Sequence, residues 1–418
     1  MSSELLEKYV RLIVKTGINL QQGQTLVVTS PIESASFTRL LAETAYEEGA
    51  RDVVINWRDE LFSKIRYMKA PEEVFDEFPD WQKEFYMSYV RQDAAFVTIS
   101  ATDPELLKDV NPARIAKAQK TGSTALKEYR ERLMSNKNTW CVVSIPTQAW
   151  AKKVFPGISG EDAVNKLWAT IFKVVRVDTE NPVAAWEEHK KNLKKSMEFM
   201  NSHNFKFLHY RSSLGTDVKI ELPENHVWLG GSEYTPEGRE FVANMPTEEI
   251  FTLPKRTGVN GKVVSSRPLN YNGNLIENFS LTFKDGKIVD FQAEKGYETL
   301  KNLIGTDEGS HYLGEVALVP FDSPISKSNI LFFNTLFDEN ASCHLAIGKA
   351  YPVCIKDSGK MTEDELAKLG VNDSLVHEDF MIGTADLEIT GVTAAGEEIP
   401  VFRNGNFAFE RLFAATKN

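Results

Sequence analysis

The sequence predicts an α/β protein in two parts. The first is an N-terminal domain on an open parallel sheet with helices on both faces, and the second a C-terminal strand-rich α+β domain. Two observations carry this. Up to Val175, near-continuous Val/Ile-rich runs alternate with amphipathic helical stretches, as in a parallel sheet covered on both faces. From Phe205 onward, short segments alternate apolar and polar residues at period two between turn signals, the pattern of half-buried antiparallel strands. The predicted boundaries are 1–185 for the first domain, 186–204 for a charged linker helix and 205–418 for the second domain.

In the first domain, Leu5, Leu6, Tyr9, Val10, Leu12 and Ile13 give residues 4–16 an apolar helical face. Leu26, Val27 and Val28 make 24–30 a buried strand, and Phe37, Leu40, Leu41 and Ala45 recur at helical spacing before Gly49, placed to end that helix. Strands follow at 53–57, 95–99 and 140–144, with a partly helical stretch at 71–91 and helices at 112–134 and 163–175. No G-x-G-x-x-G follows a strand and no G-x-x-x-x-G-K-[ST] occurs. The glycine turn that lets a backbone approach a pyrophosphate is therefore missing. In the second domain, 206–210, 217–222, 281–283, 287–291 and 387–390 read as strands, with Asn272-Gly273 and Asp285-Gly286 as turns. Helical spacing persists at 297–305, 341–350 and 362–369.

Composition narrows the function. Of 418 residues, 42% are apolar and 26% charged, a globular balance rather than a disordered one. No apolar run has the length of a membrane helix, and the first residues lack the basic and apolar regions of a secretory signal. A formal net charge of −11 argues against binding a phosphate backbone. The three cysteines form no C-x-x-C pair, which disfavours a disulfide framework or a thiolate zinc site; Cys343 reads as a small buried residue. The expectation is a cytoplasmic protein that binds neither nucleic acid nor membrane.

All seven histidines lie after residue 188, so a histidine-dependent metal site belongs to the second part of the chain. Neither H-E-x-x-H nor G-x-S-x-G occurs, which removes the paired-histidine zinc helix and weakens a serine hydrolase. Four segments concentrate ligand-type side chains: 246–251 with Glu248 and Glu249, 314–320 with Glu315, 337–344 with Asp338, Glu339 and His344 and continuing to Tyr351, and 377–383 with His377, Glu378 and Asp379. Glu315 opens an apolar strand, where a carboxylate sits at a mouth or at a cation because burying it unpaired is costly. His377 and Asp379, two apart on a strand, share a face, leaving Glu378 to point toward solvent or a supporting position. His344 and Tyr351, seven apart, share a face if the helix runs that far. Asp338 reads as a helix N-cap. Lys255 and Arg256 either orient substrate carbonyls or lie on a solvated turn before Gly258. Carboxylates and imidazoles without thiolates suit zinc, cobalt or manganese in a catalytic site.

With Pro-Thr-Glu-Glu-Ile-Phe-Thr at 246–252, Gly-Glu-Val-Ala-Leu-Val-Pro at 314–320, Asn-Thr-Leu-Phe-Asp-Glu-Asn-Ala-Ser-Cys-His-Leu-Ala at 334–346 and His-Glu-Asp-Phe-Met-Ile-Gly at 377–383, the chain resembles the thermophilic metallo-aminopeptidase family of aminopeptidases T and S. The resemblance implies an exopeptidase that removes residues from peptides with a free N-terminus. It implies two divalent metal ions (zinc, cobalt, manganese or magnesium) and a homodimer whose active sites face an internal cavity. The implied ligands are Glu249, Glu315, Glu339, His344, His377 and Asp379, with Tyr351 beside the metals. Glu339 is open as ligand or proton acceptor, and Glu248 competes with Glu249 in the first motif. Catalytic roles fall to Glu249, Glu339 and Tyr351, and Glu315, borne on a rigid strand, is the expected bridging carboxylate. Residue chemistry alone leaves two alternatives: a metal-dependent amidase or esterase, or a non-enzymatic metal-stabilised ligand-binding protein.

Overall fold

In the computed structural model, which describes residues 2–409, the four apolar runs of the first half form one parallel sheet. Its strand order is Asp52–Arg58, Thr25–Pro31, Ala95–Ile99, Trp140–Val143, and every neighbouring pair is parallel. Leu26, Val27 and Val28 are fully buried in the second of these strands, which is why their run is continuous rather than alternating. Helices Ala35–Glu47, Glu60–Lys69, Asp80–Arg91 and Gly160–Val174 accompany the sheet. The one helix expected over 112–134 is two, Pro112–Ala125 and Lys127–Met134, because Leu126 leaves helical geometry at φ −100°. The first helix, Ser3–Leu12, runs on into a π-helical turn, Ile13–Gly17. There a side chain on Gly17 would place its Cβ 3.0 Å from Cys141 Sγ.

The chain divides into two compact units. One comprises the residues up to Asn192 with 231–247 and 272–274, the other Leu193–Gly230, Glu248–Tyr271 and the chain from Leu275 onward. Residues 410–418, the end of the predicted second domain, lie outside the described residues. The division falls inside the long helix Pro182–His203, so His189 belongs to the first unit, which is not free of histidine. There its Nε2 hydrogen-bonds the Thr247 carbonyl at 2.7 Å.

The second unit contains two antiparallel sheets. The larger runs Leu269–Tyr271, Asn274–Lys284, Val259–Val264, Asp217–Glu221, Phe207–Arg211, Glu388–Val392, Glu398–Arg403, Asn406–Phe407, with Lys287–Lys295 paired to Asn274–Lys284. The smaller runs His377–Met381, His344–Gly348, Leu313–Leu318, Ile250–Thr252, Leu229–Gly230. One core joins them: Val316, Leu318, Leu345, Ile347 and Phe380 from the smaller sheet pack with Leu208, Tyr210, Val218, Ile220, Phe279, Leu281 and Ile389 from the larger. Those five residues occupy one face of the smaller sheet. The pleat therefore sends the alternate residues, Glu315, Ala317, His344, Ala346 and Asp379, to the other face.

Helices Tyr297–Ile304 and Glu363–Leu369 form as their spacing predicts. The second starts at a reciprocal cap between Thr362 and Glu365 and stops at Gly370, whose φ is +91°. The helix expected over 341–350 is instead a 3-10 turn, Glu339–Ala341, followed by the strand His344–Gly348. Every residue of that strand is buried, and a short run buried on both faces carries no periodicity that separates strand from helix.

Candidate metal centre

Cross-strand register explains how distant acids and imidazoles meet. Glu315 pairs with Ala346, and Ala346 pairs with Asp379, so one row across three strands reads carboxylate, methyl, carboxylate on a single face. One step along, His344 lies between Ala317 and Met381, and on the other side Gly348 faces His377. Phe251 pairs with Ala317, which turns Glu249, two residues earlier, toward the same face. Gly348 has φ +103°, and a Cβ there would stand 2.2 Å from the Val376 carbonyl oxygen. A side chain at that point would displace the strand that carries His377.

Two groups result, sharing Glu315: Glu249, Glu315 and His344, then Glu315, His377 and Asp379. His344 Nε2 lies 2.9 Å from Glu249 Oε2 and 3.4 Å from Glu315 Oε1, while His377 Nε2 lies 3.5 Å from Glu315 Oε2 and 3.6 Å from Asp379 Oδ1. Each ring is aimed by its other nitrogen. His377 Nδ1 donates to the Lys349 carbonyl at 2.6 Å, and His344 Nδ1 faces the Glu339 and Ser342 carbonyls at 3.0 and 3.1 Å. Both Nε2 atoms are thereby directed at the carboxylates, the arrangement by which a supporting shell orients metal-binding imidazoles.

Glu339 is buried beside these groups, but its carboxylate belongs to neither. Tyr351 lies past the end of the strand, not on a helix shared with His344, and its ring meets that of His377 edge to face with centroids 4.8 Å apart. Of the adjacent acids in the first motif it is Glu249 that reaches His344.

Burial pushes the Glu315 carboxyl up to about 7, with Asp379 and Glu249 raising it against the pull of His344 and His377. Burial, then Asp379 and Glu249, also drive Glu339 well above the usual carboxylate range. His344 is shifted upward although burial opposes its charge, because Glu249 and Glu315 attract it more strongly. Tyr351 is held protonated by burial and by the surrounding carboxylates. Together these shifts describe a buried cluster of negative charge that draws cations, protons included. The donor set fits a divalent metal: three carboxylates, Glu249, Glu315 and Asp379, and two imidazoles, His344 and His377, without sulfur. One of its buried oxygens, Asp379 Oδ1, accepts no hydrogen bond from the described residues.

Other expectations change. Asp338 is not an N-cap. It is buried, its carboxylate accepts from the Phe332 and Asn334 amides at 2.9 and 3.1 Å, and Arg267 Nη1 stands 3.7 Å away. Glu378 is half-buried rather than turned to open solvent, and burial with Asp379 raises its carboxyl. Lys255 is bonded to Glu221 at 2.9 Å and Arg256 covers the Tyr312 ring at 4.3 Å, so both lie on the solvated turn. Sequence reasoning passed over Asn340, fully buried next to Glu339. Its one visible signal is a place inside the third motif, and a buried amide reads there like any polar residue near a helix end.

A family model described as thermophilic metalloprotease matches residues 2–407. Aminopeptidase 2 of Geobacillus stearothermophilus is 51% identical over 405 residues, covering 97% of this chain and 98% of that one. Aminopeptidase T of Thermus thermophilus is 41% identical over 402 residues, covering 96% and 98%. The solved structure of wild-type AmpT from Thermus thermophilus matches with a TM-score of 0.88 at 40% identity, covering 97% of this chain and 99% of that one.

Proposed function

Since the chain belongs to the thermophilic metalloprotease family and its relatives are named aminopeptidases, it is a metal-dependent aminopeptidase, and we propose that it works with two divalent ions held by Glu249, Glu315, His344, His377 and Asp379. Aminopeptidase activity replaces the amidase, esterase and binding-protein alternatives. The observation that supports a pair of ions is the sharing of Glu315 between two groups, one oxygen toward His344 and the other toward His377.

When bound, two such ions supply a water acidic enough to attack at neutral pH and polarise the scissile carbonyl. The chain's own groups do the rest. Glu339, outside both groups and with a raised proton affinity, is proposed as the base that takes the proton of the attacking water and delivers it to the leaving amine. The Tyr351 hydroxyl, kept protonated, donates to the oxyanion that forms on the substrate carbonyl. The negative cluster favours the α-ammonium of a peptide with a free N-terminus. Assembly as a homodimer and a cytoplasmic location are part of the proposal. The first rests on the family resemblance and the second on three free, buried cysteines. Among the described residues no helix is long and apolar enough to cross a membrane.

EDTA is expected to abolish hydrolysis of leucine p-nitroanilide, with Co²⁺ or Zn²⁺ restoring it, and acetylation of the substrate amine to end turnover. Equal cleavage of the acetylated substrate would refute the exopeptidase reading. Elemental analysis showing one ion per active chain would refute the pair.

A further inference from the structure

The segment before Ile250 and the turn that bears Glu339 come from distant parts of the chain, and one buried side chain ties them together. Asn340 is fully buried. Its Oδ1 accepts from the Glu248 backbone amide at 2.7 Å. Its Nδ2 donates both to the Leu336 carbonyl at 2.9 Å and to Glu339 Oε1 at 3.3 Å. Its own carbonyl accepts from Ser323 Oγ at 3.1 Å. The carboxamide thus uses its acceptor on the Glu248–Glu249 segment ahead of the strand, and its two donors on Glu339 and on Leu336 of the short helix Thr335–Asp338 before it.

We propose that Asn340 is a positioning residue: its side-chain amide couples the Glu248–Glu249 segment to the Glu339 carboxylate and so fixes the placement of both acids. The inference rests on the metal-centre reading above, in which Glu249 holds an ion and Glu339 handles the proton. Three features make an amide the suitable group. Glu339 needs a neutral donor, because a carboxylate at this position would repel it and an ammonium would neutralise it. The Glu248 N–H needs an acceptor, because a buried amide without one is costly. A single rigid planar group meets both demands at a fixed separation. Asp338 completes the frame from the other side, where its carboxylate gathers the Phe332 and Asn334 amides. Phe333 between them has φ +54°, a conformation a bulky residue rarely keeps unless its neighbours impose it.

The test uses the full-length protein, Co²⁺ as the probe, and the variants Asn340→Ala and Asn340→Asp. Ala removes both links; Asp keeps the acceptor for Glu248 but replaces the donor to Glu339 with an anion. Three properties are measured: Co²⁺ affinity by chelator competition, the visible absorption of the Co²⁺-loaded protein, and kcat and KM separately. Both variants are expected to bind Co²⁺ about tenfold or more weakly, to show an altered Co²⁺ spectrum, and to lose kcat with little change in KM. Wild-type affinity and spectrum in a folded Ala or Asp variant overturn the inference while leaving the metal-centre reading standing. So does failure of both variants to fold with no recovery on adding Co²⁺, which makes Asn340 a general core residue. A wild-type protein that binds no Co²⁺ overturns the underlying reading and the inference with it.

Discussion

Glu315 Oε2 lies 3.5 Å from His377 Nε2, although a whole strand, His344–Gly348, runs between the strands that bear them. What spans that gap is the pleat. Side chains on alternate strands at matching register point to the same face, and the strand between contributes only Ala346 and Gly348 at that level.

Glu315→Gln removes the anion common to both groups. Metal content should fall below that of the wild type, and kcat/KM should drop by more than about a hundredfold, beyond the range typical of supporting residues. Elemental analysis together with peptide hydrolysis checks this, and a variant retaining both full metal content and activity contradicts the shared role.

Tyr351→Phe keeps the ring against His377 and deletes only the hydroxyl. If that hydroxyl stabilises charge that develops during the reaction, kcat falls by about a hundredfold or more while KM stays near its wild-type value. Steady-state kinetics on an unblocked peptide decide it.

Ala346→Val adds two methyl groups between Glu315 and Asp379 on the row where the carboxylates converge. The strand itself tolerates valine, which is β-branched and apolar. The expected result is a folded protein with weakened metal binding and low activity, seen as a normal circular dichroism spectrum beside a reduced Co²⁺ affinity.

Chelated protein should show an unusual pH dependence. A carboxyl whose folded pKa is raised binds more protons folded than unfolded between the two values, so stability falls as pH rises through that window. For Glu315 the window runs from the ordinary 4.5 to about 7. Below it the contribution is absent, and above it the destabilisation is complete. In EDTA, the melting temperature of the wild type should therefore drop relative to that of Glu315→Gln as pH rises from about 5 to about 7.5. Parallel curves for the two proteins exclude the effect.

The parallel sheet was legible in the sequence chiefly through Thr25–Pro31 and Ala95–Ile99, which are buried almost throughout, and such burial leaves continuous runs like Leu26-Val27-Val28. The candidate ligands were visible as residue types as well, since Glu315 opens an apolar segment and His377 and Asp379 stand two apart; that they lie in two adjoining groups is a matter of the fold. Secondary structure around His344 was not legible, because a strand buried on both sides shows no alternation.

The two textures of the chain follow from local periodicity, and the acids and imidazoles available for chemistry from residue identity, so both can be read from short stretches of the sequence. Long-range pairing was needed to show that Glu249 rather than Glu248 faces His344, that Asp338 holds backbone amides instead of capping a helix, and that Asn340 links two distant segments. Register makes the difference. A one-residue shift between paired strands turns every side chain to the opposite face, and register is fixed by pairing and burial across the whole sheet.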